Sequence, residues 1–219
     1  LCALLSIFAL SVSKSTQDQV EMATWANNRA HAEILLHSAY SELVFTLLTY
    51  ERARLSENEG GNLITARWNF FNAPFQISDN VTIKVQDQAG LIGLHFLDRN
   101  RLEQLFITQG VTYQRASVII DHLLDWQDID SIARPNGYEG VANTEVRNGY
   151  ITDLTDLELL IDLTPLEKAI LYRNSTIYYN GAFNPLSASR ELLIAEVGEA
   201  SAQQISELRK VRDFSPLEY

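Results

Sequence analysis

The chain has 219 residues, 46% of them hydrophobic and 21% charged, with a formal net charge of −11 and a pI of about 4.8. Those proportions belong to a folded chain long enough to bury a real core, and they exclude a disordered one. The acidity argues against nucleic acid as a partner and favours divalent cations and basic surfaces, and the single cysteine, Cys2, permits no intrachain disulfide.

Residues 1–12 are apolar apart from serines. Twelve such residues are fewer than the roughly 20 that span a bilayer, and no basic segment or small-residue cleavage site makes them a signal peptide. They continue directly into a helical pattern. From Thr16 to Leu55 there is no proline or glycine, and Ala30, Ile34, Leu35, Ala39, Val44, Leu47 and Leu48 recur near helical spacing. We therefore expect one helix over residues 1–55, with residues 1–12 the end of a truncated transmembrane segment. Residues 56–62, Ser-Glu-Asn-Glu-Gly-Gly-Asn, form a turn-rich linker.

Residues 63–96 change character. Arg67-Trp-Asn-Phe-Phe, Phe75-Gln-Ile and Val81-Thr-Ile-Lys-Val85 are aromatic, β-branched and partly alternating, which predicts a small antiparallel sheet. Helical signals return from Asp98 to Tyr172: Arg101–Gln109, Ser117–Trp126 with Val118, Ile119, Leu123 and Leu124 on one face, Leu154–Ile161, and Pro165–Tyr172 capped by Thr164. Ile177-Tyr-Tyr179 reads as a returning strand, and Ser187–Glu196 and Glu199–Val211 as closing helices. The expected organisation is a helix (1–55), a sheet (56–97), a helical insertion (98–172) and a return with terminal helices (173–219), an α+β fold.

The charge is concentrated. Between Asp121 and Glu167 eleven carboxylates face two arginines, Arg134 and Arg147, a local net of −9. This disfavours DNA reading by the paired short helices around Pro165. The densest part is Asp125-Trp-Gln-Asp128-Ile-Asp130, followed by Arg134-Pro-Asn-Gly137-Tyr-Glu139. Asp128, Asp130 and Glu139 have the relative spacing of positions 1, 3 and 12 of a calcium loop, but Ile132 stands at a ligand position and Ala133 at the obligatory glycine, so this is no EF-hand. An oxygen-rich calcium site of another kind and a solvated acidic loop with helix caps both remain open. Two of these carboxylates acting as general acid and base would make a hydrolase, but sequence spacing does not set that geometry. No GxSxG, HExxH, phosphate loop or dinucleotide fingerprint occurs, and His31, His37, His95 and His122 are scattered.

The order of these features resembles the K subunit of the type II secretion system, a minor pseudopilin with a type IV pilin-like N-terminal helix. Residues 1–55 look like that helix. Asp87-Gln-Ala-Gly-Leu-Ile-Gly-Leu resembles the strand entering the family's inserted α-domain, and Ala116–Asp130 its helix ending in Asp-Trp-x-Asp. Arg134–Glu139 resembles the loop after it, and Leu154–Leu166 a leucine-rich helix and turn. Tyr178–Arg190 resembles the return to the sheet, with Asn184 and Ala188 at matching places. Departures are Asp162 at a usual glycine, Pro185 at a usual polar residue, and an end soon after Phe214 where the family continues into strands, so a fragment or short relative is expected.

The resemblance implies a type IV pilin-like long helix packed on a small antiparallel sheet, with an inserted SAM-like helical domain. It implies a non-enzymatic tip subunit that caps and initiates the pseudopilus with the I and J minor pseudopilins. The subunit would be rooted in the bacterial inner membrane by one helix, with its globular part in the periplasm. It also implies calcium, with Asp125, Asp128, Asp130 and Glu139 as ligands. Outside the membrane, Met22 and Trp25 on the long helix are the expected partner contacts. A calcium-dependent acidic hydrolase, or a minor pilin of another type IV system, are the alternatives.

Overall fold

The computed structural model describes residues 2–52, 55, 59–139, 147–160, 163–178 and 181–211. Leu1, residues 56–58 of the expected linker, Glu145, Ile161, Asp162, Tyr179 and Phe214 lie outside the described residues. The chain is a mixture of helix and sheet that divides into two units. One comprises Leu1–Trp68 and Phe75–Ile83, the other Asn69–Pro74 and Lys84–Tyr219.

In the first unit α1 runs from Cys2 to Thr49, about 72 Å at 1.5 Å per residue. It stops six residues before the expected end. Among the described residues no helix is long and apolar enough to cross a membrane. Apolar side chains occur on every side of α1, but burial follows one seam. Ala39 and Thr46 are buried, and Leu35, Leu43 and Tyr50 are half-buried on the same line, spaced to share a helix face. The antiparallel strands β1 (Phe75–Ser78) and β2 (Val81–Ile83) form a hairpin with Phe75 opposite Ile83 and a register slip between Gln76 and Ser78. Strand β2 lies against α1, as expected for a sheet on the helix's second half. Arg67-Trp-Asn does not extend the sheet: residues 63–67 are turns, closed by the Trp68 N–H donating to the Ile64 carbonyl at 2.8 Å. Both side chains are fully buried, so the apolar signal at Trp68 marks a core turn rather than a strand.

The second unit begins at Asn69. Within it Phe71 and Gln86 form an isolated antiparallel bridge. A 3-10 turn at Gln88–Gly90, capped by Asp87, leads into β3 (Ile92–Gly93). Then come α2 (Arg99–Thr108), α3 (Tyr113–Gln127), a 3-10 turn at Leu154–Asp156, α4 (Leu157–Leu160) and α5 (Pro165–Asn174). The three longer of these helices have their caps: Asp98 for α2, Thr112 for α3, and for α5 a full capping box of Thr164 and Glu167 with Pro165 in the first turn. The chain leaves the helices through β4 (Ser175–Thr176), which pairs parallel with β3. The returning strand therefore precedes Ile177, with Ile177 and Tyr178 in a bend, and its partner is β3. Helix α6 (Arg190–Val211) is interrupted at Gly198, whose φ of 78° and ψ of 166° are not helical, the break expected between two closing helices. Helix α2 packs against α3 and α6, and one core gathers Leu102, Phe106, Ile119, Leu123, Leu171 and Leu192.

The two ends of the helical segment are stitched together. Gly90 lies against the Ser187 backbone so closely that a Cβ there would fall 2.2 Å from the Ser187 carbonyl oxygen. The Asn184 N–H donates to the Ala89 carbonyl at 2.7 Å, and Gln86 Nε2 to the Ser187 carbonyl at 2.9 Å. Arg209, buried, donates to the Ala188 carbonyl at 2.8 Å and also to the Pro185 carbonyl. This neck and the β3–β4 pair close residues 94–174 into a loop-out of helices.

Candidate acidic cation site

Helix α3 is amphipathic in an unusual sense, because its polar stripe is also buried. Ser117, Asp121 and Asp125 follow at intervals of four, all three buried, and Asp128 caps the C-terminal end. Buried carboxylates need partners, and the loop after the helix supplies them. The Arg134 N–H donates to Asp125 Oδ2 at 3.1 Å, and its guanidinium donates from one nitrogen to both Asp125 Oδ1 and Asp128 Oδ2. Asn136 donates to Asp121 Oδ2 from its backbone at 3.2 Å and from its side chain at 3.0 Å, while Arg99 pairs with Asp121 Oδ1 at 2.5 Å. Gly137 passes over Asp125 so tightly that a Cβ would sit 1.8 Å from Asp125 Oδ2.

The residues expected to hold calcium separate into groups. Asp125, Asp128 and Glu139 bring carboxylate oxygens within 4.8 Å of one another. Asp130 is exposed and stands outside that group, its Oδ1 accepting from the Ile132 N–H at 2.8 Å. Asp125 is fully buried with both oxygens engaged by Arg134. By contrast, Asp128 Oδ1 and Glu139 Oε1 are buried without a hydrogen-bond partner. Burial and the neighbouring Asp128, Asp125 and Asp130 raise the Glu139 pKa above its ordinary value. Burial opposes charge on Asp121 and on Arg134. For Asp121, the hydrogen bonds from Arg99 and Asn136 win and its pKa lies below the usual value. For Arg134, the bonds to Asp128 and Asp125 win and its pKa is raised.

A hard divalent cation collects several oxygens at 2.3–2.6 Å. The donor chemistry and the two partnerless buried oxygens fit such an ion, with Asp128 and Glu139 as the residues that would hold it. It would neutralise charge that Arg134 alone leaves in place. Asp125 is better placed as the anchor of Arg134. The sequence reading missed Asp121, Asn136 and Arg99 as parts of this assembly. Its available signal was the four-residue spacing of Ser117, Asp121 and Asp125 facing Arg134-Pro-Asn-Gly, which matches donors to acceptors as well as it gathers ligands. Beside this cluster, His122 stacks on Tyr138 of the same loop with ring centres 6.0 Å apart, and burial lowers its pKa. His95 makes a 2.8 Å hydrogen bond to the Ile151 carbonyl.

Met22 and Trp25 lie on α1 with 69% and 63% of their surface exposed, and Arg29 sits over the Trp25 ring at 5.6 Å. Comparison with protein-family models and with curated proteins finds no match.

Proposed function

We propose that this chain is a minor pseudopilin of the K kind, a structural tip subunit that caps and initiates a type II secretion pseudopilus with the I and J minor pseudopilins. The observation that supports this best is the closed neck. Residues 94–174 leave and re-enter the chain between two paired strands, β3 and β4. The segments meeting there, Asp87–Leu94 and Tyr178–Arg190, are those whose sequence resembles the family. This insertion also favours the K kind over a minor pilin of another type IV system, which would carry the helix and sheet alone. A type IV pilin-like first unit and a SAM-like insertion are the finer fold assignments that go with this reading.

In this reading the apolar N-terminal part of α1 belongs to the membrane root of the subunit in the bacterial inner membrane, and the globular part lies in the periplasm. Calcium binds the acidic loop through Asp128 and Glu139, tying the loop to the end of α3. The subunit performs no catalysis. Co-purification of the full chain with I and J subunits from the same source tests the assignment. A stoichiometric complex is expected; the absence of any complex with the wild type sinks the reading. Glycan or peptide turnover that Asp128→Asn abolishes would establish the hydrolase instead. Titration of the full chain with calcium chloride tests the ion: heat release and a raised melting temperature are expected, and neither at millimolar calcium removes it.

A further inference from the structure

Three carboxylates packed at one helix end repel one another unless something cationic joins them. In this structure that cation is part of the chain. Arg134 reaches Asp125 and Asp128 with a single guanidinium nitrogen and adds its backbone N–H to Asp125. Asn136 and Gly137, immediately after, are fixed on Asp121 and Asp125. These bonds by themselves close the loop onto α3.

We propose that Arg134 is the internal counter-cation of this loop, folding it in the absence of metal and competing with a divalent cation for Asp128. Asp128 is the shared group. Its Oδ2 accepts from Arg134, and its Oδ1 lies buried without a donor. With Arg134 in place, Asp125, Asp128 and Glu139 keep a net charge of −2 when all are ionised, which still attracts a divalent ion. That ion must nonetheless approach a carboxylate already paired with a positive charge a few ångström away, and like charges at that distance weaken binding strongly. Removing the guanidinium loosens the metal-free loop and strengthens the site for metal. The two effects have opposite signs, which a merely structural arginine does not produce. The competition rests on the calcium reading of this loop but not on the tip-subunit reading.

The test is hydrogen exchange on the full chain, wild type, Arg134→Gln and Arg134→Lys, in EDTA and across a calcium chloride titration. The Asn136 and Gly137 amides report the loop, and the α2 core amides of Leu102 and Leu105 report global folding. In EDTA the wild-type loop amides are protected. Arg134→Gln speeds their exchange by about tenfold or more while α2 stays protected, and Arg134→Lys, which keeps the charge on a more strongly hydrated ammonium, falls between. Calcium restores protection to Arg134→Gln at a concentration about tenfold or more below that needed to shift the wild type. Wild-type loop amides that are open in EDTA overturn the proposal, as does Arg134→Gln with unchanged exchange. Loss of protection in Arg134→Gln that calcium does not restore, while the wild type responds to calcium, overturns the competition alone. No calcium response in any variant overturns the calcium reading and the competition with it. Association with the I and J subunits, read separately, stands or falls on its own.

Discussion

Two buried carboxylates show how individual residues set the stability of the helical unit. Glu167 is 4% exposed, takes a two-pronged hydrogen bond from Arg115 at 2.8 and 2.9 Å, and accepts the Thr164 N–H at 2.8 Å. The Arg115 hydrogen bond, acting against burial, holds its pKa below the ordinary 4.5. Asp121 is held low in the same way by Arg99 and Asn136 against the cost of burial. A depressed carboxylate contributes stability above its unfolded pKa and loses it as pH falls through the folded one. The melting temperature is therefore expected to hold down to about pH 5 and to fall steeply below about pH 4. Glu167→Ala should cost roughly 2–4 kcal/mol at neutral pH, the loss of a buried charge partner and half a capping box, and should make the acid decline shallower. An unchanged acid profile in that variant would remove Glu167 from the account. Gly137 offers a steric test nearby. Its conformation is unremarkable, but the buried Asp125 carboxylate leaves no room for a methyl group. Gly137→Ala is expected to lose about 1–3 kcal/mol in urea unfolding, as overpacking does.

Among the elements, those with local causes were legible in the sequence. Helix α5 was expected from Thr164 and Pro165, and the capping box forms as chemistry requires. Helix α3 was legible from its apolar face, although it begins at Tyr113, four residues before the expected start, because Thr112 caps it there. The β1–β2 hairpin was legible from β-branched alternation. What escaped the sequence depended on distant partners. Trp68 reads as a strand residue but is buried in a turn, and β4 is two residues long, placed by its pairing with β3 across more than eighty residues. At the acidic loop, the carboxylates were visible as a cluster. Their division into Asp121 and Asp125 held by donors, Asp130 turned onto the Ile132 N–H, and Asp128 and Glu139 each with one partnerless buried oxygen was not, because it depends on where Arg134 and Asn136 land. The break in α6 gives the test at this scale. Gly198 adopts φ 78° and ψ 166°, a region open essentially to glycine alone, so Gly198→Ala should cost about 1–3 kcal/mol. Circular dichroism of the variant should show native helix content at low temperature with an earlier melt; an equal or higher midpoint would mean that the break is dispensable.

At the scale of the whole molecule, α1 poses the question that burial within this chain does not answer. Its seam through Ala39 and Thr46 is covered, whereas Met22, Trp25, Leu36 and Tyr40 are exposed, and their spacing of three, eleven and four keeps them on one side of the helix. Trp25 in particular is not packed under the hairpin of its own unit; its one described ring contact is with Arg29, four residues on. A large aromatic side chain left in water on a long helix is a strong anchor for another helix, because burying it returns more free energy than any neighbour on that turn. In the tip-subunit proposal the partner helices belong to the I and J subunits. Trp25→Ala should then weaken that association by about 1–3 kcal/mol, and Met22→Ala by less, while the melting temperature of the isolated variant stays within a degree or two, since the ring supports no core. The measurement is the dissociation constant of the three-subunit complex beside the melting curve of each variant alone. A destabilised monomer with normal association would assign Trp25 to this chain's own fold, and normal values for both would exclude it as an anchor.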